Sequence, residues 1–244
     1  MDPYLSRDVY RSRVTSEGLL RYRVTVGESD LFIASPADLS KEARAAALQI
    51  RGVIEEAIKK DSSFQSSLRP LSDDPEDPGP ILRMKHAARL CRVGPMAAVA
   101  GLVSDHVGRR LLELTDRVIV ENGGDIFMCS PEPVNVGIYA PGSVLSGKLG
   151  ICADASGGIG ICTSSGTYGH SLSFGSSQAA VAVSPDAALA DAAATRLGNL
   201  LKDPSRIPKA LEEILSVEGI TGAAAIVDDR IGFLGDIEVR VLSV

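Results

Sequence analysis

The sequence predicts an α+β fold, a single domain over residues 1–244 built from a duplicated ββαα-type unit. Runs of strand-like residues are interrupted by blocks of helix, which favours α+β over a doubly wound parallel sheet. The order of paired strands, helical residues and further strands occurs twice, over about residues 18–130 and 131–244. With 244 residues, 45% of them hydrophobic, the chain is long enough to bury one substantial core.

The first half opens with a hairpin and a long helix. Leu19–Val26 alternates apolar and polar residues, and the apolar Leu31–Ala34 follows a short turn. Ser40 can cap a helix over about Lys41–Lys60. Residues 61–80 are rich in Pro, Ser and Asp. They predict an irregular connection, either a surface excursion or a lid over a site.

Two helices and a short strand complete the first half. Met84–Cys91 has a helical pattern, and a second helix begins within the small, apolar segment Val93–Gly101 and reaches about Leu114. Arg117–Val120 predicts a buried strand that ends in a double-glycine turn. Such a turn needs no function, but it can also present amides and a carboxylate to a ligand. The candidate ligand contacts in this turn are Asn122, Gly123, Gly124 and Asp125.

The second half contains six predicted strands and two helices. The first helix covers 185–201, with Ser184 as N-cap, Pro185 at the first helical position and Asp186 in the first turn. The second covers Ile207–Leu215. The predicted strands are Val134–Tyr139, Lys148–Ala153, Ile159–Thr163, Ala223–Val227, Arg230–Leu234 and Ile237–Leu242.

Small polar residues after the strand that ends at Thr163 form a candidate binding loop. The loop reaches His170 and offers hydroxyls, backbone N–H groups and one imidazole with almost no side-chain bulk. Glycine permits a close approach of backbone to ligand. The candidate contacts are Thr163, Ser164, Ser165, Gly166 and Thr167.

Asp191 and Thr195 stand four residues apart, so their oxygens share one face of the predicted helix. Two hard oxygens in this arrangement can bind Mg²⁺ together with ligand phosphates. Alternatively, Thr195 bonds back to the carbonyl of Asp191, and the Asp191 carboxylate is solvated. The residues alone leave both interpretations open.

His170 is a candidate general base, because imidazole titrates near neutral pH, or a loop histidine bonded to backbone. His86 and His106 lie in helical segments and are expected to be structural. Cys162 with His170 could form a thiol nucleophile and base, if Cys162 faces the loop rather than the core. The four cysteines lack CxxC spacing, which gives a zinc cluster little support.

The overall charge argues against nucleic acid as a partner. The net charge is -6 and the pI about 5.2. No apolar signal core begins the chain, and no window reaches the length of a membrane span. We therefore expect a cytoplasmic protein without a membrane partner.

These motifs resemble the ApbE-like superfamily, whose best-known members are FAD:protein FMN transferases. The motifs are ENGGDI, GPMAAVAG, CTSSGTYGHSLSFG and ADAAAT, and they are most similar to a bacterial and archaeal branch of the superfamily. The resemblance covers the chain from about residue 18 to its end. It implies a duplicated α+β unit of the tunnelling-fold (T-fold) kind.

The resemblance also implies roles for individual residues. Gly123–Asp125 matches a GGD turn at a strand end, and Thr163–Gly166 matches a TSG loop near the flavin. His170 matches a histidine that acts in transfer. Asp191 and Thr195 match a pair that binds Mg²⁺, with a backbone carbonyl that falls here at Ala97.

Two departures from the pattern of the transferases leave two hypotheses for the function. Gly94 and Ala100 stand where the transferases carry polar residues that contact the flavin nucleotide, and Ser171 follows His170 where an aspartate is expected. One hypothesis is a Mg²⁺-dependent protein that binds a flavin nucleotide, FAD, and transfers FMN to a hydroxyl of an acceptor protein. The alternative is a non-catalytic cofactor-binding or accessory protein on the same scaffold. A homodimer is the expected assembly.

Overall fold

A computed structural model describes residues 18–166 and 176–242 of the chain. Eleven strands occur in these ranges. In chain order they are β1 (Leu20–Val26), β2 (Ser29–Ser35), β3 (Val118–Asn122), β4 (Asp125–Cys129), β5 (Val134–Gly137), β6 (Leu149–Ala153), β7 (Ile159–Ser164), β8 (Ala179–Ser184), β9 (Gly222–Val227), β10 (Arg230–Gly235) and β11 (Glu238–Val241).

Eight strands form one large sheet in the order β1-β2-β3-β4-β7-β8-β9-β10, and every pair is antiparallel. A second sheet has the order β11-β6-β5. The helices are α1 (Ser40–Lys60), α2 (Ser63–Ser66), α3 (Gly79–Cys91), α4 (Val99–Leu111), α5 (Ala187–Leu200) and α6 (Ile207–Leu215), with 3-10 turns at Pro95–Ala98 and Pro204–Arg206.

The described residues form three layers. The helices cover one face of the large sheet and enclose the main core, which includes Leu31, Ile50 and Leu102. The small sheet covers part of the other face, where Met128 and Ile151 belong to a second core. The large sheet contains the same order of elements twice: β1 and β2, then helices, then β3 and β4; and β7 and β8, then helices, then β9 and β10. This order agrees with the predicted α+β fold and its duplicated unit.

Glycines and alanines let the central helices approach the sheet closely. A Cβ atom on Gly101 of α4 would overlap the carbonyl oxygen of Ala187 in α5. A Cβ atom on Gly160 of β7 would overlap the Cα atom of the same alanine. With few aromatic residues available, the core gains its density from backbones at short distance rather than from large side chains.

The predicted starts of two helices are wrong. The N-cap of α5 is Asp186, whose carboxylate accepts hydrogen bonds from the amides of Ala188 (2.9 Å) and Leu189 (3.4 Å). Ser184 instead accepts a bond from the Asp186 amide. Helix α3 begins at Gly79 rather than Met84, with Pro80 in its first turn.

The connection over residues 61–80 is more ordered than the sequence predicts. It contains α2, whose Phe64 is buried in the main core. Lys85 of α3 binds the connection from inside, with its ammonium 2.5 Å from the Asp77 carboxylate and 2.8 Å from the Ser72 carbonyl. Both side chains of the ion pair are more than nine-tenths buried. The connection is therefore bound to the helical layer.

Candidate functional site

The double-glycine segment is the two-residue turn of the β3–β4 hairpin. Gly123 and Gly124 have φ values of 70° and 110°, and Asn122 pairs with Asp125 across the turn. Positive φ at both central positions is what a type I′ hairpin turn requires. The Gly124 amide donates to the Glu121 carboxylate at 2.8 Å. That amide is therefore engaged within the turn.

Four polar side chains lie on the helix-covered face of the large sheet near the β3–β4 turn: Asn122, Asp125, Cys162 and Ser164. Asn122 lies opposite Asp125, and Asp125 lies opposite Cys162. Residues directly opposite one another in a sheet point to the same face, and so do residues two apart along a strand. Ser164 therefore joins this face, and the Asn122 amide donates to the Ala100 carbonyl of α4 at 3.4 Å.

Asp191 of α5 reaches the same region. Its carboxylate accepts a hydrogen bond of 2.8 Å from the amide of Gly101, in the first turn of α4. Only 9% of Asp191 is exposed. The solvated interpretation of Asp191 is therefore wrong, and the carboxylate is buried against a helix N-terminus, where a negative charge is favoured.

Both buried carboxyls have raised pKa values. Burial raises the pKa of Asp191 to about 7, while the amides of Gly101 and Ala100 act in the opposite direction. Burial and then the charge of Asp191 raise the pKa of Asp125 well above its ordinary value. Two carboxyls in one buried region cannot both ionise easily without a counter-charge. A bound cation would supply that charge.

Cys162 belongs to the core side of this region. The thiol is fully buried between the Asp125 carboxyl and the Ala187 carbonyl oxygen, which lies 3.4 Å from Sγ. Burial raises its pKa well above the ordinary value. A buried thiol that resists ionisation is a poor nucleophile, so this environment does not support the thiol–imidazole hypothesis.

The remaining predicted residues are placed as follows. Ser164 ends β7, and its buried hydroxyl has no hydrogen-bond partner among residues 18–166 and 176–242. The Gly166 amide donates to the Ser177 carbonyl at 2.9 Å, so it too is engaged. Thr195 lies half-buried one turn beyond Asp191 on α5. The other half-buried candidates are Thr163, Ser165 and Ala97, the last in the 3-10 turn that packs against α5.

Thr167 and His170 lie outside the described residues, 18–166 and 176–242. Within those ranges, no three His, Cys, Asp or Glu side chains form a group that could hold a metal ion. The hard-oxygen groups of this region are the Asp191 and Asp125 carboxyls and the Ser164 hydroxyl, which has no partner among the described residues. This chemistry fits Mg²⁺, which takes few protein ligands and keeps several waters.

Glu121 and Gly101 are contacts of the site that the sequence did not assign to it. The Gly-Gly pair signals a hairpin turn, and this could have placed Glu121 beside it. Gly101 contacts Asp191 from 90 residues away, and no local pattern carries that information.

The space around residue 94 leaves room only for a glycine. A Cβ atom there would overlap the carbonyl oxygen of Ser67, at the end of α2. The connection therefore lies directly against the residue that precedes the 3-10 turn Pro95–Ala98. No side chain can stand at position 94 unless the connection moves.

Comparison with known proteins identifies the family. A family model described as "AbpE bacteria" matches residues 11–231. The chain belongs to this family. Relatives named UPF0280 protein include those of Methanocella arvoryzae, 40% identical over 189 residues (77% of each chain), and Methanothrix thermoacetophila, 40% identical over 199 residues (80% of this chain and 83% of that protein). The predicted resemblance to ApbE-like proteins is confirmed.

Comparison with solved structures shows that this chain has the ApbE fold. The flavinyl transferase ApbE of Pseudomonas stutzeri superposes with a TM-score of 0.56 at 14% identity, covering 89% of this chain and 94% of that one. The ApbE protein of Thermotoga maritima gives 0.56 at 12% identity, covering 88% and 96%. In the described part of the chain, no helix is both long and apolar enough to cross a membrane.

Proposed function

We propose that this protein binds a flavin nucleotide in a Mg²⁺-dependent manner and transfers FMN from FAD to a hydroxyl of an acceptor protein. The observation that carries the proposal is that the Asp125 and Asp191 carboxyls lie in one buried region, on the sheet face that Ser164 shares. Its support from relatives is the fold shared with a flavinyl transferase.

The proposed metal ligands are Asp191, Thr195 and the carbonyl oxygen of Ala97, with Asp125 beside them. A bound Mg²⁺ would neutralise phosphate charge and act as a Lewis acid on a phosphoryl oxygen. It would also supply the counter-charge that the two buried carboxyls need. The net charge of -6 favours a phosphate site that uses a metal over one that uses only Arg and Lys.

The rest of the site would bind the nucleotide and move a proton. The hairpin turn with Asn122 and the segment 163–167 would contact the flavin nucleotide. His170 would accept the proton of the acceptor hydroxyl. The hydroxyl oxygen then bonds to the phosphorus of the FMN moiety, the pyrophosphate P–O bond breaks, and AMP leaves with the bonding electrons.

A second candidate function has one specific observation in its favour. The connection occupies the space that a side chain at position 94 would need, and the resemblance assigns a nucleotide contact to that position. A protein that binds a smaller cofactor without turnover would tolerate this. AMP release in the presence of FAD, Mg²⁺ and a threonine-bearing acceptor protein would exclude this second candidate.

The first test is isothermal titration with FAD, with and without Mg²⁺, on the parent protein and on Asp191→Asn. The substitution keeps an oxygen that can accept the Gly101 hydrogen bond but removes the charge. We expect FAD binding that requires Mg²⁺ in the parent and is lost in the variant. The matched control is Asp203→Asn, since Asp203 also accepts an amide bond at a helical start but is exposed.

Two results would contradict the proposal. One is FAD binding whose affinity does not depend on Mg²⁺ and is unchanged in Asp191→Asn. The other is an absence of FAD binding under every condition, with Mg²⁺ alone also giving no heat. The second result would leave the scaffold with a different ligand and would direct the search to a metabolite screen.

A further inference from the structure

Strand β10 is an exposed edge of the large sheet. Within residues 18–166 and 176–242 it pairs with β9 alone, so its outer N–H and C=O groups face away from the sheet. Phe233 is 52% exposed and Leu234 39%. An edge with free backbone groups and exposed apolar side chains is a template for pairing with another strand.

The opposite edge of the sheet is protected in a way that β10 is not. Strand β1 carries Arg21 and Arg23, and Arg23 makes a two-pronged ion pair with Asp30 at 2.5 and 2.8 Å. Charged residues on an edge strand discourage pairing between sheets. Between Arg230 and Asp236, β10 carries only Ile, Gly, Phe, Leu and Gly. Its middle therefore has no charge to oppose a second strand.

The charges at the two ends of this segment are self-complementary. Arg230 stands before the apolar stretch and Asp236 after it, both exposed. Neither makes an ion pair with another described residue. In an antiparallel pair centred on Phe233, Arg230 lies at the end of the pair where the partner subunit's Asp236 follows the last strand residue in a turn, and symmetry repeats this proximity of opposite charges. Opposite charges across an antiparallel pair are stabilising, and like charges are destabilising.

The side chains also fit this register. A Cβ atom on Gly232 would overlap Ile207 of α6, so that face of β10 points to the helix. In the same register the partner's Leu234 lies opposite Gly232 and can cover the gap beside α6. Phe233 meets the partner's Phe233 on the other face, as aromatic cross-strand pairs do. The contact between Gly232 and Leu234 occurs twice about the axis on which the Phe233 pair lies, which is the property of a closed twofold interface.

We propose that two copies of this chain form a twofold dimer through antiparallel pairing of residues 230–236, in the register centred on Phe233. The pairing joins the two large sheets into one continuous sheet. Because the shared ribbon is short, the dimer is weak and concentration-dependent, as small interfaces are. The proposal is independent of the flavin function, since it involves none of the site residues.

The test is sedimentation equilibrium of the full chain over a wide concentration range. We expect a monomer–dimer equilibrium for the parent. Phe233→Lys places two like charges on the axis and should weaken dimerisation by at least about tenfold. Arg230→Asp and Asp236→Arg should each weaken it, and the double variant should recover it. The control is Leu114→Lys, which alters an apolar residue of similar exposure (59%) outside the strands.

Each other outcome overturns the proposal. A parent that stays monomeric at all concentrations excludes the interface. A dimer that Phe233→Lys leaves intact uses another surface. Charge reversals without recovery in the double variant exclude this register. Species that grow beyond a dimer would indicate head-to-tail pairing between different edges, which does not close. Circular dichroism of each variant confirms that these exposed substitutions preserve the fold.

Discussion

Replacing Asp191 by asparagine should stabilise the metal-free protein, and the gain should depend on pH. Asp191 is buried, and its hydrogen bonds come from backbone amides of α4. Burial of an ionised carboxylate is costly unless a counter-charge is present. Asparagine keeps the size and an accepting oxygen but cannot ionise. The variant therefore avoids the cost of burying the charge.

The magnitude follows from the pKa of Asp191, which burial raises from 3.8 to about 7. A carboxyl with a raised pKa contributes stability that is fully present below its unfolded value, and this stability is lost as the pH rises through its folded value. The complete loss is at most about 4 kcal/mol for a shift of this size. Between about pH 5 and pH 8, the advantage of Asp191→Asn should grow by about 3 kcal/mol.

The assay is urea unfolding followed by circular dichroism, in EDTA, near pH 5 and near pH 8. The control variant Asp203→Asn should change stability by the same amount at both pH values, because hydrogen bonds from Ser205 lower the pKa of Asp203 and this carboxyl is ionised throughout the range. An advantage of Asp191→Asn that is equal at both pH values would refute the reasoning. A variant less stable than the parent near pH 8 would refute it too.

Three further predictions concern packing, ion pairs and the metal. Gly94→Ala must displace the connection and should cost about 1–3 kcal/mol in thermal unfolding, whereas Gly79→Ala, in open space, should be neutral. Asp105→Asn removes the charge of a fully buried carboxylate that pairs with Arg83 and Arg109, and it should lower the free energy of unfolding in urea by about 3–5 kcal/mol. Glu113→Gln, at an exposed ion pair, should lower it by less than about 1 kcal/mol. Titration calorimetry should show Mg²⁺ affinity rising with pH up to about 7, because protons compete for the Asp191 carboxyl, and a flat profile would count against Asp191 as a ligand.

Local patterns predicted most helices and strands but missed β4. The double glycine after Asn122 was interpreted as the end of a strand, whereas two glycines between apolar runs are a strong hairpin signal. The residues Ile126, Phe127 and Met128 that follow are the second strand of that hairpin. A correct interpretation of the turn would have found both β4 and the position of Asp125 at its start.

The site was predictable only as far as local geometry extends. Spacing placed Asp191 and Thr195 on one helix, as the structure has them. Spacing could not show that Asp191 meets Gly101, since this contact depends on how α4 and α5 pack. Nor could it show that Asp125 lies opposite Cys162, because β4 and β7 are separated by two strands of the other sheet.

The small residues around Asp191 determine the geometry of the site more than the polar ones do. Gly101 allows α4 to touch α5, and Gly160 allows β7 to touch α5, both at Ala187. A methyl group at either glycine would push α5 away from its neighbours. Asp191 would then move from the Gly101 amide and from Asp125, and the two carboxyls would no longer share one buried region. Glycine and alanine residues, which carry no functional groups, therefore allow the close packing that brings the two carboxyls into one buried region.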